Sequence, residues 1–191
     1  MTFLAGRPGT QANQRGHRVT HAEEQPDMIE MPGECAAAAV RYLEDEGWPA
    51  VAHGWAVWTL AGRAVDALGV PLPLAERVRA RLRAKCRPTP VICVPGQERW
   101  VFLTAPMDGV DHGVLTELAA CGIDHAPPAS RIELPPTRVP GGPLAWVEPP
   151  SGEPAPFIAV AGAILIVSIE AVGVRPGACA ADRNVEDHGE R

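Results

Sequence analysis

The run MDGVDH brings two carboxylates and an imidazole, Asp108, Asp111 and His112, within five positions. Carboxylate oxygen suits hard divalent cations and imidazole suits borderline ones, so this spacing could hold a metal ion. The same residues have a conformational use. Asp-Gly is turn chemistry, and an aspartate just ahead of a helix satisfies its free N–H groups. Cap and turn is the preferred reading. A second cluster lies in 74–85 (LAERVRARLRAK), where Arg77, Arg79, Arg81, Arg83 and Lys85 crowd one helix and Arg87 follows it. Guanidinium groups pair bidentately with phosphate, so such a stripe could dock on a nucleic-acid backbone. The rival is a solvated face tied to nearby carboxylates. It is the stronger reading, because the aromatics that single-strand binders interleave with their cations are missing here.

Other chemistry is thinly represented. His17, His21, His53, His125 and His188 are isolated, and no GxSxG, P-loop, GxGxxG or HExxH pattern occurs. The five cysteines form no CxxC pair, which points to buried thiols in a reducing cytosol and not to a disulfide framework. The net charge of −6 supplies no global cationic field, so any contact with nucleic acid needs a local patch.

These groups must be positioned by short elements, as 21 prolines and 19 glycines in 191 residues imply. The central stretch is 87–106 (RPTPVICVPGQERWVFLTAP). Its apolar runs 91–94 and 100–103 flank a Pro-Gly punctuation and predict a β-hairpin; neither run alternates, so both faces of each strand should be covered. Residues 34–46 predict a helix with Ala37, Val40 and Leu43 as its apolar positions and Gly47 as terminator. Strands are expected at 48–53 and 55–60 around Gly54, a helical turn at 63–68, and helices at 74–85 (Leu74, Val78 and Leu82 inward) and 112–121. Further strands are expected at 131–134 and 144–147. The segment 157–169 (FIAVAGAILIVSI) is too short for a bilayer and Glu170 interrupts any longer window, so a core helix or buried strand is expected, and no membrane partner.

The fold class is therefore α+β: one domain over 34–174 with a small, mostly antiparallel sheet, a central hairpin at 91–104 and covering helices. Residues 1–30 lack apolar periodicity and read as a disordered extension, 175–191 as a charged disordered tail. Met1, Met28 and Met31 all stay open as the start, with foldable sequence beginning near the later two.

Several short motifs occur in order across 34–150. They are Gly47-Trp48-Pro49, Arg99-Trp100-Val101-Phe102-Leu103, Leu134-Pro135-Pro136-Thr137 and Gly142-Pro143-Leu144-Ala145-Trp146-Val147. In that order they resemble the small actinobacterial proteins of the bifunctional DNA primase/polymerase type, domains often carried by mobile elements. The resemblance implies a nucleotidyltransferase ancestry, DNA or nucleotides as partners, a cytoplasmic location, and Mg²⁺ or Mn²⁺ as cofactor only in an active member. Active members carry a pair of strand acids that hold two metals through carboxylate oxygen. At the corresponding strand this chain has Ala56 and Thr59. The leading expectation is a catalytically degenerate copy that keeps nucleic-acid binding through Arg77, Arg79, Arg81, Arg83, Lys85 and Arg87. Two alternatives stand beside it. One is a protein-interaction module using tryptophans such as Trp48 or Trp55. The other is an active enzyme with Asp108, Asp111 and Glu133 as improvised metal ligands.

Overall fold

The runs at 91–94 and 100–103 do pair as a hairpin, with Val91 opposite Phe102, Ile92 opposite Val101 and Cys93 opposite Trp100. The computed structural model describes residues 32–109 and 112–171; the expected extension at 1–30, the tail at 175–191 and Asp111 lie outside the described residues. In chain order the elements are α1 (Pro32–Glu46), β1 (Val51–His53), β2 (Ala56–Leu60), β3 (Asp66–Pro71), α2 (Leu72–Ala84), β4 (Val91–Cys93) and β5 (Arg99–Thr104). Then come α3 (His112–Ala120), β6 (Asp124–His125), β7 (Arg131–Leu134), β8 (Arg138–Val139), β9 (Gly142–Pro143), β10 (Ala145–Glu148) and α4 (Phe157–Ala171).

The strands form a five-stranded sheet ordered β10-β4-β5-β3-β6, a three-stranded sheet β1-β2-β7 and the small β8-β9 ribbon. Every strand pairing is antiparallel, and the α+β class holds. Side-chain alternation explains why the hairpin runs show no polar face. Leu68, Val70, Val91 and Phe102 enter one core with α2, α3 and α4, while Ala67, Ile92, Val101 and Leu103 enter a second with α1 and the three-stranded sheet. The larger sheet is thus the middle of three layers.

Three sequence expectations need correction. Residues 63–68 make no helical turn: Asp66–Pro71 is a strand between β5 and β6, and Ala67, Leu68 and Val70 are fully buried in it. Gly69 and Pro71 misled as breakers. Gly69 faces Val101 inside the ladder, and Pro71 closes the strand where α2 begins. On α1, the helix itself is observed, but Val40 and Leu43 are 52% and 56% exposed. The buried positions are Cys35, Ala38 and Tyr42, spaced i, i+3, i+7. Tyr42 decides the face, because its ring stacks on Trp48 at 5.9 Å and its hydroxyl donates to the Pro135 carbonyl at 2.6 Å. Trp48 itself is 2% exposed, which removes it as a docking side chain.

Elsewhere α2 buries Ala75, Val78 and Leu82, one position away from the predicted Leu74 at its start. The segment 157–169 is the body of α4, with Phe157, Val160, Ile164 and Val167 inward and Ile158, Ile166 and Ile169 outward. Among the described residues no helix is long and apolar enough to cross a membrane. The hairpin tip is braced from outside the sheet. A Cβ added at Gly141 would lie 2.5 Å from the Pro95 carbonyl oxygen, so backbone meets backbone there.

Candidate nucleic-acid interface

Helix α2 lies on the five-stranded sheet with its arginines flanking the buried stripe, and two carboxylates from distant parts of the chain grip them. Glu148, at the end of β10, accepts from Arg79 Nε at 3.0 Å and from Arg83 Nε and Nη2 at 2.9 Å each. Glu170, near the end of α4, accepts from Arg77 Nη2 at 3.2 Å and Arg81 Nη1 at 3.3 Å. Arg83 holds the Glu148 carboxyl below the usual carboxylate range, with Arg79 adding to the effect against the opposing cost of burial. The ion-paired face anticipated for this helix is therefore present on all four arginines within it, Arg77, Arg79, Arg81 and Arg83.

Lys85 and Arg87 stand outside both clamps. Lys85 occupies the C-cap of α2 and Arg87 follows one residue past Cys86. Both are exposed, and no ion pair to either exists among the described residues. The turn is closed by bonds from the Arg87 N–H to the Leu82 carbonyl and from the Cys86 N–H to the Arg83 carbonyl, both 3.0 Å. That geometry puts Cys86 at φ 53°, where helices normally place glycine. A groove of about 470 Å³ opens beside it between Arg87, Pro88 and Pro90 and the loop at 151–156, with Glu153 on the far wall.

The acids considered as metal ligands are dispersed. Asp108 is exposed in the loop after β5, in a turn completed by Gly109 at φ 68°. His112 is exposed at the first turn of α3, and its carbonyl accepts from the Thr116 hydroxyl at 3.2 Å. Glu133 sits on the other sheet, opposite Trp58; burial pushes its carboxyl up, while Arg131 pulls the other way. Arg131 stacks over the Trp58 ring at 4.4 Å. No group of three His, Cys, Asp or Glu able to hold a metal exists among the described residues. Thr59 is buried, and its hydroxyl donates to the Pro49 carbonyl at 3.0 Å. Ala56, at the start of β2, lies three residues earlier and on the opposite face of the strand.

Sequence reasoning missed Asp66 and set His125 aside as isolated. Asp66 opens β3, is 3% exposed, and accepts the Met107 N–H at 2.7 Å, which ties down the loop that carries Asp108. His125 Nε2 is 4.0 Å from the Asp66 carboxylate, beyond hydrogen-bond reach, and has no partner among the described residues. Burial lowers the His125 pKa, with Asp66 opposing, and the ring meets Phe157 edge-on at 5.6 Å. The available signal was a lone acid inside an apolar run (VDALGV), the same signal that marks Glu148 and Glu170. Comparison with known proteins finds no family model, no curated protein and no solved structure that matches this chain.

Proposed function

We propose that this chain is a non-catalytic, primase/polymerase-like module that binds the phosphate backbone of nucleic acid along α2 and the groove past its end. One observation carries the reading: each clamp spends a single carboxylate on two arginines. Six cations, Arg77, Arg79, Arg81, Arg83, Lys85 and Arg87, therefore share two ion-pairing carboxylates among the described residues, Glu148 and Glu170. The clamps also hold the guanidinium groups in fixed directions, which lowers the ordering cost of binding a polyanion. A cytosolic location, in keeping with the free thiols of Cys35, Cys86, Cys93 and Cys121, belongs to the same proposal.

The test is a salt titration of affinity for a labelled DNA oligonucleotide. The logarithm of the association constant falls linearly with the logarithm of salt concentration. Lys85→Ala and Arg87→Ala each reduce the slope by about one unit, because each removes a phosphate contact without disturbing a clamp. Affinity that ignores salt, or slopes unchanged in both variants, refutes the reading. Primer extension with Mg²⁺ or Mn²⁺ gives no product; extension abolished by Asp111→Asn would put catalysis in place of binding.

A second reading, protein docking, is favoured by the exposure of Val40 and Leu43 on α1 together with Val51, 46% exposed, on the adjoining β1. Leu43→Glu separates the two: it leaves the DNA titration unmoved if α2 is the interface.

A further inference from the structure

The groove of about 470 Å³ past the end of α2 carries opposite charges on its two walls. Arg87 stands on one and Glu153 on the other, both exposed. They form no ion pair with each other, and neither forms one elsewhere among the described residues. Glu148 and Glu170 each neutralise arginines of α2, whereas Glu153 neutralises none.

The walls are fixed. Pro88, Pro90, Pro154 and Pro156 line them, each with its φ locked by its ring. Thr89 joins one wall to the other: its hydroxyl accepts from the Ala155 N–H at 3.2 Å and donates to the Leu103 carbonyl. The Ala155 carbonyl in turn accepts from the Ala105 N–H at 2.9 Å, just past the end of β5. A ligand entering between these walls meets backbone that is already in place.

A carboxylate is an unfavourable neighbour for a phosphate. The backbone of DNA offers it nothing in return, because phosphate and deoxyribose oxygens within a strand only accept. RNA differs by one group. Its 2′-hydroxyl both donates and accepts, and is what lets a protein tell the two backbones apart. A guanidinium on one wall and an unpaired carboxylate on the other therefore match a phosphate joined to a sugar that donates. The volume lies within the roughly 300–1,000 Å³ of small-molecule sites, enough for one nucleotide.

On the reading that α2 holds a phosphate backbone, we infer that this groove selects single-stranded RNA over DNA by enclosing one ribonucleotide. Arg87 donates to its phosphate, and Glu153 accepts from its 2′-hydroxyl. Ribose and base lie against the proline walls. The strand is single because a nucleotide enclosed on two sides has to leave its duplex.

The experiment is fluorescence anisotropy of the full chain with three labelled oligouridylates of equal length: RNA, its 2′-deoxy form and its 2′-O-methyl form. The uracil donors are common to all three, so differences report the sugar. RNA binds about tenfold more tightly than either of the others. Glu153→Ala, at an exposed loop position, leaves the thermal midpoint unchanged, weakens RNA, tightens the deoxy strand and brings the two within about twofold. Arg87→Ala weakens all three strands to a similar degree and keeps RNA ahead. Equal affinity for the three strands, with the salt slopes as described above, overturns RNA selection and leaves phosphate binding in place. Salt-dependent binding to none of them overturns both. RNA and 2′-O-methyl strands bound equally, and both above deoxy, trace the preference to sugar pucker and overturn the hydroxyl contact. An RNA preference that survives Glu153→Ala overturns it too.

Discussion

Cys86 sits where the chain needs a left-handed residue and has no glycine to supply it. Its counterparts at the ends of α1 and α3 are Gly47 at φ 68° and Gly122 at φ 73°, so two of three helix exits use the unstrained solution. A side chain in this region costs about 1–2 kcal/mol, and glycine gives back part of that gain through its freer unfolded chain. Cys86→Gly is therefore expected to stabilise the protein by about 0.5–1 kcal/mol, read as a higher urea midpoint with unchanged slope; a lower midpoint refutes the account. Thr137 shows the reverse economy. Its hydroxyl accepts from the Val57 N–H at 2.7 Å and donates to the Val57 carbonyl at 2.9 Å, so one side chain supplies both bonds of a strand partner just past the end of β7. Tyr42 makes a comparable buried tie, and burial pushes its phenol up to about 12.

At the level of elements, the hold of α2 on the sheet depends on Glu148, whose carboxyl is lowered chiefly by Arg83. A depressed carboxyl stabilises the fold fully above its ordinary value near 4.3, and this stabilisation is lost as pH falls through the lower folded value. Wild type should therefore lose stability on acidification more steeply than Glu148→Gln. Chemical denaturation at stepped pH should show the gap between them closing below about pH 4; a pH-independent gap refutes it. Helices α1, α2 and α3 and the central hairpin were legible because apolar periodicity, Gly47 and Gly122 all speak locally, whereas the uniformly apolar 157–169 suited helix and buried strand alike. The buried face of α1 was not. Ala37, Val40 and Leu43 offer a regular apolar stripe, and only the distant Pro135 carbonyl and the Trp48 ring make Tyr42 the inward residue. Strand β3 was hidden for a related reason: Gly69 and Pro71 break isolated strands but are harmless in one gripped on both sides. The arginines could be read from their spacing. The identity of Glu148 and Glu170 as their partners could not, since those contacts join positions 65 to 93 residues apart.

Across the whole molecule, the five-stranded sheet separates two cores, and its middle strands β5 and β3 contribute to both. Neither core can come apart without exposing the back of the other. The amides of Leu68, Val70, Val101 and Leu103 should exchange with solvent only through global unfolding. Those of the short edge strand β1 and the β8-β9 ribbon should exchange at least about a hundredfold faster. Hydrogen exchange that protects one core strand far more than the others would show two independent units. The contact at Gly141 carries a practical lesson for anyone altering this protein. Hairpin tips are ordinarily the safest places to graft an epitope, a fluorophore or a linker. Here the tip at Pro95 is pressed flat beneath a second loop, so an insertion would wedge that loop outward and loosen β10, and with it the grip on α2, some distance from the graft.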